Sequence, residues 1–288
     1  MVVTGGAGRL GRYVVDELSQ AYEVIVADVS RPADALHRLV DVLDLRAVTE
    51  VLAGADAVVH LAALDYDTHA PSEEFMRVNA LGTWNVLLAG ESAGVGRAVV
   101  CSSVAALGLH ERRHDWTPLS LPVDESHPVA PAEAYSVSKL VVETMCQSFV
   151  RASGLPILCL RPVAIIFDDE LETFLGTVDG SVPSLFDYVM AGDVARAVRL
   201  GLAAGWSGYE CLLLSAADTA HPEPTLGWYP RLVGALPADV DHAVFDANPR
   251  ASVFSSARAE SVLGWRPASD FRRIHAGGAA ISHRRTGA

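Results

Sequence analysis

The sequence predicts an α/β fold, a doubly wound parallel sheet with a small C-terminal cap, and three observations predict it. Short apolar runs of β type alternate with segments of helical spacing through the first half of the chain and beyond. The first of those runs passes directly into a glycine-rich turn and then a helix. From Phe167 onward the alternation loosens into loops rich in Asp, Gly and Pro, broken by one more helix. Such a tail fits a cap over the carboxyl edge of the sheet, where open α/β sheets bind their ligands.

Element by element, Met1 to Thr4 is the first strand, and Gly5-Gly6-Ala7-Gly8-Arg9-Leu10-Gly11 is the turn. Arg12 to Leu18 continues as a helix, with helical spacing at Leu10, Val14, Val15 and Leu18. A second strand, Glu23 to Ala27, ends at Asp28. A helix around Arg46 to Ala53 precedes a third strand, Ala57 to Ala63. Next come a helix from about Ser72 to Ala93, a strand at Arg97 to Cys101, a helix from about Pro131 to Ala152 and a strand at Pro156 to Arg161. Strands separated by helices imply right-handed crossovers and a parallel sheet covered on both faces. A helix at about Gly192 to Ala204 is expected to return to that sheet.

Composition narrows the function classes. Of 288 residues half are hydrophobic and a fifth charged, with 23 Gly and 15 Pro, which excludes disordered, collagenous and disulfide-stapled chains. The 35 acidic residues outnumber the 22 basic ones, for a formal charge of −13. A chain so acidic repels a polyphosphate, so no nucleic-acid partner is expected. Cys101, Cys146, Cys159 and Cys211 show no C-x-x-C spacing, and there is neither a charged-then-apolar leader nor an apolar run of about 18 residues. The expectation is a reducing, cytoplasmic setting with no membrane partner. One count is sharper: all basic residues but one are Arg, and the exception is Lys139.

Gly5, Gly8 and Gly11 recur every third residue after a strand and at the start of a helix. Small residues there let the turn tighten, let the backbone approach a pyrophosphate and let the helix N-terminus face its charge. Asp28, at the end of the second strand, is placed to accept hydrogen bonds from a ribose and to repel a 2′-phosphate. That favours NAD, while the neighbouring Arg9 and Arg31 leave NADP open. The other constellation is Tyr135-Ser136-Val137-Ser138-Lys139. Positions i and i+4 on a helix lie roughly 6 Å apart, so the lone ammonium sits beside a phenol and favours its phenolate, as a general acid/base requires.

These residues resemble the extended short-chain dehydrogenase/reductases, the NAD-dependent epimerase/dehydratase family, over nearly the whole chain. Thr4 with the Gly5, Gly8 and Gly11 turn, Asp28, and Asp41-Val42 look like the family's pyrophosphate, ribose and adenine contacts. His60-Leu61-Ala62-Ala63 is similar to its strand passing the cofactor, and Asn79 to the Asn of the next helix. Cys101-Ser102-Ser103 followed by Gly108 resembles its Ser-rich strand end. Arg161-Pro162, Asp193-Val194-Ala195 and Leu263-Gly264-Trp265-Arg266-Pro267 match its strand into the cap, its returning helix and its closing signature.

The resemblance implies an NAD(P)-dependent oxidoreductase or epimerase with Ser103, Tyr135 and Lys139 as catalytic residues. Cofactor contacts are expected from Gly5, Gly8, Arg9, Leu10, Gly11, Asp28, Asp41, Val42, Leu61, Ala62, Ala63, Asn79, Cys101, Tyr135, Lys139 and Val163, with no metal. It further implies a Rossmann domain over 1–166, rejoined by 187–206, with 167–186 and 207–288 as the cap. Only 30 residues separate Pro162 from Asp193, and in place of the family's usual Tyr-Gly-Pro stands Ile166-Phe167-Asp168. The segment carries Phe174 and Phe186, no Arg or Lys, and the acids Asp168, Asp169, Glu170, Glu172 and Asp179. So compact a cap looks more like the uronate dehydrogenases of the superfamily and favours a small sugar-like or polyol substrate, with Arg161 or an Arg from the C-terminal segment available if the ligand carries one carboxylate. Trp228, Tyr229 and Arg231 could still fold over the pocket. Two alternatives stay open: a UDP-sugar 4-epimerase or dehydratase, and a non-catalytic NAD(P)-sensing regulator.

Three further patterns carry less. His110 and His114 have the spacing of a helical metal pair but no third ligand nearby. Asp124-Glu125-Ser126-His127 reads as a solvated approach to the Tyr135 helix rather than a hydrolase triad. Leu140, Val141, Val142, Met145, Phe149 and Val150 on one helix, and Val86, Leu87 and Leu88 on an earlier one, exceed what one buried face needs. In the family these helices pair into a four-helix bundle, which implies a homodimer.

Overall fold

A computed structural model, described over residues 1–30, 36–111, 117–171 and 187–270, is built around one parallel sheet. Its strands are β1 (Val2–Thr4), β2 (Ile25–Asp28), β3 (His37–Leu39), β4 (Ala57–His60), β5 (Arg97–Cys101), β7 (Ile157–Pro162) and β10 (Tyr209–Leu214). They lie in the order β10-β7-β5-β4-β1-β2-β3, every pairing parallel. The order reverses between β1 and β4. That reversal splays the connections to opposite faces and opens a crevice at the carboxyl ends of these two strands.

The helices are α1 (Arg9–Ser19), α2 (Leu45–Leu52), α3 (Ser72–Phe75), α4 (Gly82–Ala93), α5 (Ala134–Ser153), α6 (Ala191–Ala203), α7 (Thr225–Leu232), α8 (His242–Ala247) and α9 (Ala257–Leu263). α1 packs with α6, and α2, α4 and α5 pack in series. The period-two pleat sorts the strand residues between two cores. Val3, Val59 and Val99, aligned across β1, β4 and β5, join Val14, Leu18 and Val194; Val2, Val58 and Ala98 join Val86, Leu87 and Val142. Strands buried on both faces read as unbroken apolar runs, which is why they were legible.

The helix expected over about Ser72 to Ala93 is real, but a π-helical turn, Met76–Leu81, interrupts it around Asn79. Strands depart from expectation at several places. The third predicted strand stops at His60 instead of Ala63, and β3 had no signal in its sequence, His37-Arg38-Leu39, which is largely exposed at the sheet edge. The domain limits are corrected at β10: 209–214, assigned to the cap, is the opposite edge strand of the main sheet.

Two minor sheets lie off it, β8 (Ala164–Ile166) with β9 (Tyr188–Met190) and β6 (Ser120–Leu121) with β11 (Asp239–Val240). Trp228 and Tyr229 are almost wholly buried with Trp265, Phe245 and Phe254. They form the interior beneath the cap, which corrects the expectation that they could line a pocket. Asp193 on α6 fastens the closing segment: its carbonyl accepts the Trp265 indole N–H at 2.9 Å and its carboxylate accepts the Ala268 N–H at 3.0 Å. The Asp124–His127 loop is not merely solvated, because Glu125 accepts the N–H of Leu213 on edge strand β10 at 2.7 Å.

Asp187 gives the fold a pH dependence. Its Oδ1 accepts Ser252 Oγ at 2.6 Å and the Val253 N–H at 3.0 Å, while Oδ2 is buried with no partner among the described residues. Burial pushes its carboxyl up from 3.8 to about 7. Between those values the folded state keeps a proton the unfolded state releases, so stability falls as pH rises from 4 to 7 and then levels off. Asp187→Asn keeps the accepting oxygen and carries no charge. Its thermal midpoint should exceed that of the parent by at least about 2–4 °C at pH 8, the advantage shrinking as pH falls and gone only near pH 4. Parallel melting curves at both pH values check this; equal midpoints at pH 8 would show that the carboxylate bears no burial penalty.

Candidate active site

At Gly5 φ is +72°, and a Cβ would lie 2.5 Å from the Ala62 nitrogen; at Gly11 a Cβ would lie 2.3 Å from the Gly5 carbonyl oxygen. Backbone presses on backbone at both positions, which only glycine permits. Gly8 precedes α1 without a side-chain cap, so the first N–H groups of that helix, at Arg9 and Leu10, have no intrahelical partners. Asp28 lies beside this turn at 9% exposure, accepting the Ala7 N–H at 3.0 Å and the Ser30 N–H at 2.8 Å, one on each oxygen.

The Arg9 guanidinium is engaged by the start of the cap. It pairs with Asp169 at 2.8 Å and with Glu170, and lies 4.0 Å over the Phe167 ring. Two exposed carboxylates meet its charge, so a phosphate at Arg9 would have to compete with them. Arg31 lies outside the described residues.

Along the next strand, the Leu61 N–H donates to Thr4 at 3.0 Å, so Leu61, Ala62 and Ala63 leave the sheet beside the glycine turn. Val42 is buried, and Asn85 Nδ2 donates to its carbonyl at 2.9 Å; Asp41 is exposed and accepts the Leu43 N–H at 2.9 Å. His60 is sandwiched, with Nδ1 2.7 Å from Thr4 Oγ1 and Nε2 2.9 Å from Thr83 Oγ1. Because Thr83 donates to the Asn79 carbonyl at 2.6 Å, its oxygen accepts from His60, leaving Nδ1 as the acceptor for Thr4. Burial, and secondarily the charge of Lys139, hold His60 down to about 3, a neutral spacer. Asn79 ties the site together: Oδ1 accepts the Leu64 N–H at 2.8 Å, and Nδ2 donates to the Leu64 carbonyl at 3.1 Å and to Ser138 Oγ at 3.0 Å. The wide π turn presents this side chain to two segments at once.

Lys139 is only 4% exposed, and its Nζ donates to the Cys101 carbonyl at 3.0 Å, two residues before Ser103. The same Nζ is 5.7 Å from the centroid of the Tyr135 ring. Ser103 has extended backbone, and its Oγ accepts the Ala105 N–H at 3.1 Å to start a short 3-10 turn, Val104–Leu107. Half-buried Tyr135 meets Tyr66 and Phe75 edge-on at 5.8 and 6.1 Å, and Tyr66 meets His110 likewise at 5.2 Å. Burial lowers the pKa of His110 and, with Glu133 next in effect, raises that of Tyr66, so both stay uncharged near neutral pH. Val163, named as a cofactor contact, is buried in the core, its N–H on the Leu214 carbonyl at 3.1 Å.

Residues 1–166 match the model of the NAD dependent epimerase/dehydratase family. The chain belongs to this family. Among curated relatives, the L-arabinose 1-dehydrogenase (NAD(P)(+)) of Haloferax volcanii is 29% identical over 249 residues, covering 80% of this chain and 96% of its own. A UDP-glucose 4-epimerase of Halalkalibacterium halodurans is 26% identical, covering 93% and 90%. Among solved structures, a short-chain dehydrogenase/reductase superfamily protein from Agrobacterium tumefaciens with bound NAD aligns at TM-score 0.73 and 22% identity, covering 99% of this chain and 97% of that one. MoeE5 in complex with UDP-glucose and NAD aligns at 0.71 and 24%, covering 99% of both. The extended short-chain dehydrogenase/reductase assignment, the Rossmann-type fold and the class of NAD-dependent enzyme hold.

The turn fits the family's cofactor. A side chain at Gly5 or Gly11 would force the turn away from Ala62 or from its own backbone and so open the tight approach, and the bare N–H groups of α1 offer a pyrophosphate its donors. Each Asp28 oxygen keeps a lone pair for a ribose hydroxyl after its backbone bond.

One buried network had no reading as such in the sequence. Arg161 forks onto Glu143 at 2.8 and 2.6 Å, and Ser102 Oγ donates to the same carboxylate at 2.6 Å. Arg161 is therefore spent on an internal pair, which corrects its assignment to a substrate carboxylate. The signal was present: Tyr135, Lys139 and Glu143 follow at four-residue steps on one helix face.

Proposed function

We propose that this family member transfers a hydride between NAD and a secondary hydroxyl of a compact, sugar-like polyol that carries no nucleotide. The observation that carries the chemistry is the only lysine of the chain, buried on the Cys101 carbonyl with its Nζ 5.7 Å from the centroid of the Tyr135 ring. In this reading the Tyr135 phenolate takes the hydroxyl proton of the substrate at Oη, becoming the phenol, and Ser103 Oγ donates to the same substrate oxygen. The Lys139 ammonium favours the phenolate and faces the nicotinamide ribose. NAD, when bound by the glycine turn and Asp28, supplies the hydride acceptor. A non-catalytic sensor would need neither the phenol nor the ammonium.

The described residues offer little to a nucleotide. A nucleotide diphosphate needs a base-stacking surface and cationic donors, yet Trp228 and Tyr229 are interior, Arg161 is paired with Glu143, Arg9 with Asp169 and Glu170, and Arg231 with Glu223. Asp168, Asp169 and Glu170 head the cap and repel a diphosphate. Glu172, Phe174, Asp179 and Phe186 lie outside the described residues. The arabinose dehydrogenase relative, named for a free sugar, accords with this reading, and the UDP-glucose epimerase relative keeps the nucleotide-sugar alternative in the test. Free aldoses, uronic acids, UDP-glucose and UDP are to be compared for binding and for reduction of NAD and NADP. We expect turnover with a free sugar, preference for NAD because the Asp28 charge opposes a 2′-phosphate, and no measurable UDP binding. Micromolar affinity for UDP would overturn the small-substrate reading.

The assembly we propose is a homodimer. Leu81, Trp84 and Leu88 stand at i, i+3 and i+7 as an exposed apolar stripe, 48%, 42% and 37% accessible, and Trp84 packs on Phe149 of α5. Val86, Leu87 and Val142, counted toward that surface from sequence, belong instead to the subunit core. A self-matching helix pair of this kind suits an isologous interface. Sedimentation equilibrium should give twice the 30.5 kDa subunit mass; a monomer at micromolar concentration contradicts it. All four cysteines are free thiols, in keeping with a reducing cytoplasmic setting, and no helix among the described residues is long and apolar enough to cross a membrane.

A further inference from the structure

The two hydroxyls assigned to the reaction come from segments 32 positions apart in sequence, the end of β5 and the start of α5. The Lys139–Cys101 and Asn79–Ser138 bonds hold α5 about one turn beyond Tyr135, and a second set of contacts grips the backbone just before it. After Ser103 the chain makes the 3-10 turn, passes Gly108 at φ +77° and makes another short turn, Leu109–Glu111. The Ala130 N–H donates to the Leu107 carbonyl at 3.3 Å, and a Cβ at Gly108 would lie 2.7 Å from the Ala130 oxygen. Beyond it, the Glu111 carboxylate accepts the Ala132 N–H at 2.9 and 3.0 Å, once on each oxygen, and the Glu133 N–H at 3.0 Å on Oε1. His110 Nε2 approaches Ser136 Oγ at 3.4 Å.

We propose that Glu111 is a positioning residue: its carboxylate locks the Ser103 segment to the start of α5 and thereby sets the separation of Ser103 Oγ from Tyr135 Oη. The proposal rests on the reading of those two residues as catalytic. Glu111 stands eight positions after Ser103 and grips the backbone two and three positions before Tyr135, so every residue between the two hydroxyls and the clasp lies in tight turns or in the helix. An anion at the end of a 20-residue helix also meets the positive end of its dipole, which holds the contact closed. One atom each of His110, Glu111 and Glu133 lies within 4.8 Å of the others, a spacing that would suit a cation. Both Glu111 oxygens face backbone N–H groups, however, and the feature this cluster surrounds is the helix terminus.

Glu111→Gln and Glu111→Ala separate charge from geometry. A single amide oxygen can accept both N–H groups as Oε1 does, so the Gln variant should keep the clasp, whereas the Ala variant loses it. In crystal structures of the NAD complexes, Ser103 Oγ and Tyr135 Oη should part by about 1 Å in the Ala variant and stay in place in the Gln variant. A misplacement of that size costs about 100-fold in rate. With the best free sugar from the panel, kcat of the Ala variant should fall by that factor and that of the Gln variant by no more than about threefold, with NAD affinity unchanged in both. An unmoved hydroxyl pair in Glu111→Ala, or equal losses in the two variants, overturns the proposal. Turnover surviving in Tyr135→Phe would instead remove the catalytic reading beneath it, so the two failures are distinct.

Discussion

Exchanging Tyr135 for Phe is expected to lower turnover by about 10³-fold or more while leaving NAD affinity within about twofold. The ring itself is structural: it makes edge-on contacts with Tyr66 and Phe75 and carries Lys139 at its flank. Phe keeps all of them, so the substitution removes one hydroxyl and little else. The glycine turn and Asp28 lie on other elements, and the Asn79–Ser138 and Lys139–Cys101 bonds do not use the phenol. A loss confined to kcat therefore assigns the proton to Oη. Titration of NAD by calorimetry beside steady-state rates reads both quantities, and a variant that keeps most of the parent rate takes Tyr135 out of the mechanism.

How much of this was legible follows from how local each cause is. The interior strands β1, β2, β4, β5 and β7 announced themselves because they are buried on both faces, unlike the edge strands β3 and β10, and the glycine turn because Cβ exclusion at Gly5 and Gly11 is written residue by residue. Lys139 stood out by count, and its burial accords with that signal. What failed was whatever depended on a distant partner. Arg161 looked like a free cation because Glu143, 18 positions earlier, meets it only after β7 and α5 pack. Arg9 looked unpaired because Asp169 and Glu170 are 160 positions away or more. Trp228 and Tyr229 resembled pocket aromatics, yet they pack with Trp265, Phe245 and Phe254, distant in sequence, as interior. Glu111 carried no signal at all, since its partners are backbone N–H groups that have no side-chain identity.

The Glu143–Arg161 pair shows why such partners matter to the site. Removing two charges from water is expensive, and a buried pair of this kind adds little net stability. Its geometry is directional all the same: the fork on Glu143 and the Ser102 hydroxyl join α5, β7 and the end of β5 at one carboxylate. Glu143 is one helical turn beyond Lys139, and Ser102 lies between Cys101 and Ser103. The pair thus fixes where along β5 the helix rests, and with it where the ammonium meets the Cys101 carbonyl.

That placement makes Lys139→Arg the other large effect. Formal charge is unchanged, so any loss reports shape. The Lys139 pocket is 4% exposed, with the Cys101 carbonyl at 3.0 Å, the Tyr135 ring alongside and His60 buried close enough to feel the charge. A guanidinium is planar, bears five donors and is wider than an ammonium. His60 Nδ1 and Nε2 are already taken by Thr4 and Thr83, so among these neighbours the extra N–H groups find only the one carbonyl. Overpacking and unpaired donors together are expected to cost about 1–3 kcal/mol of stability, and a charge displaced from the phenol and the ribose should lower kcat by about 10²-fold or more. Melting curves and steady-state rates measured on the same preparation separate the two effects. A folded Arg variant with parent activity would show that the single lysine owes its place to chance.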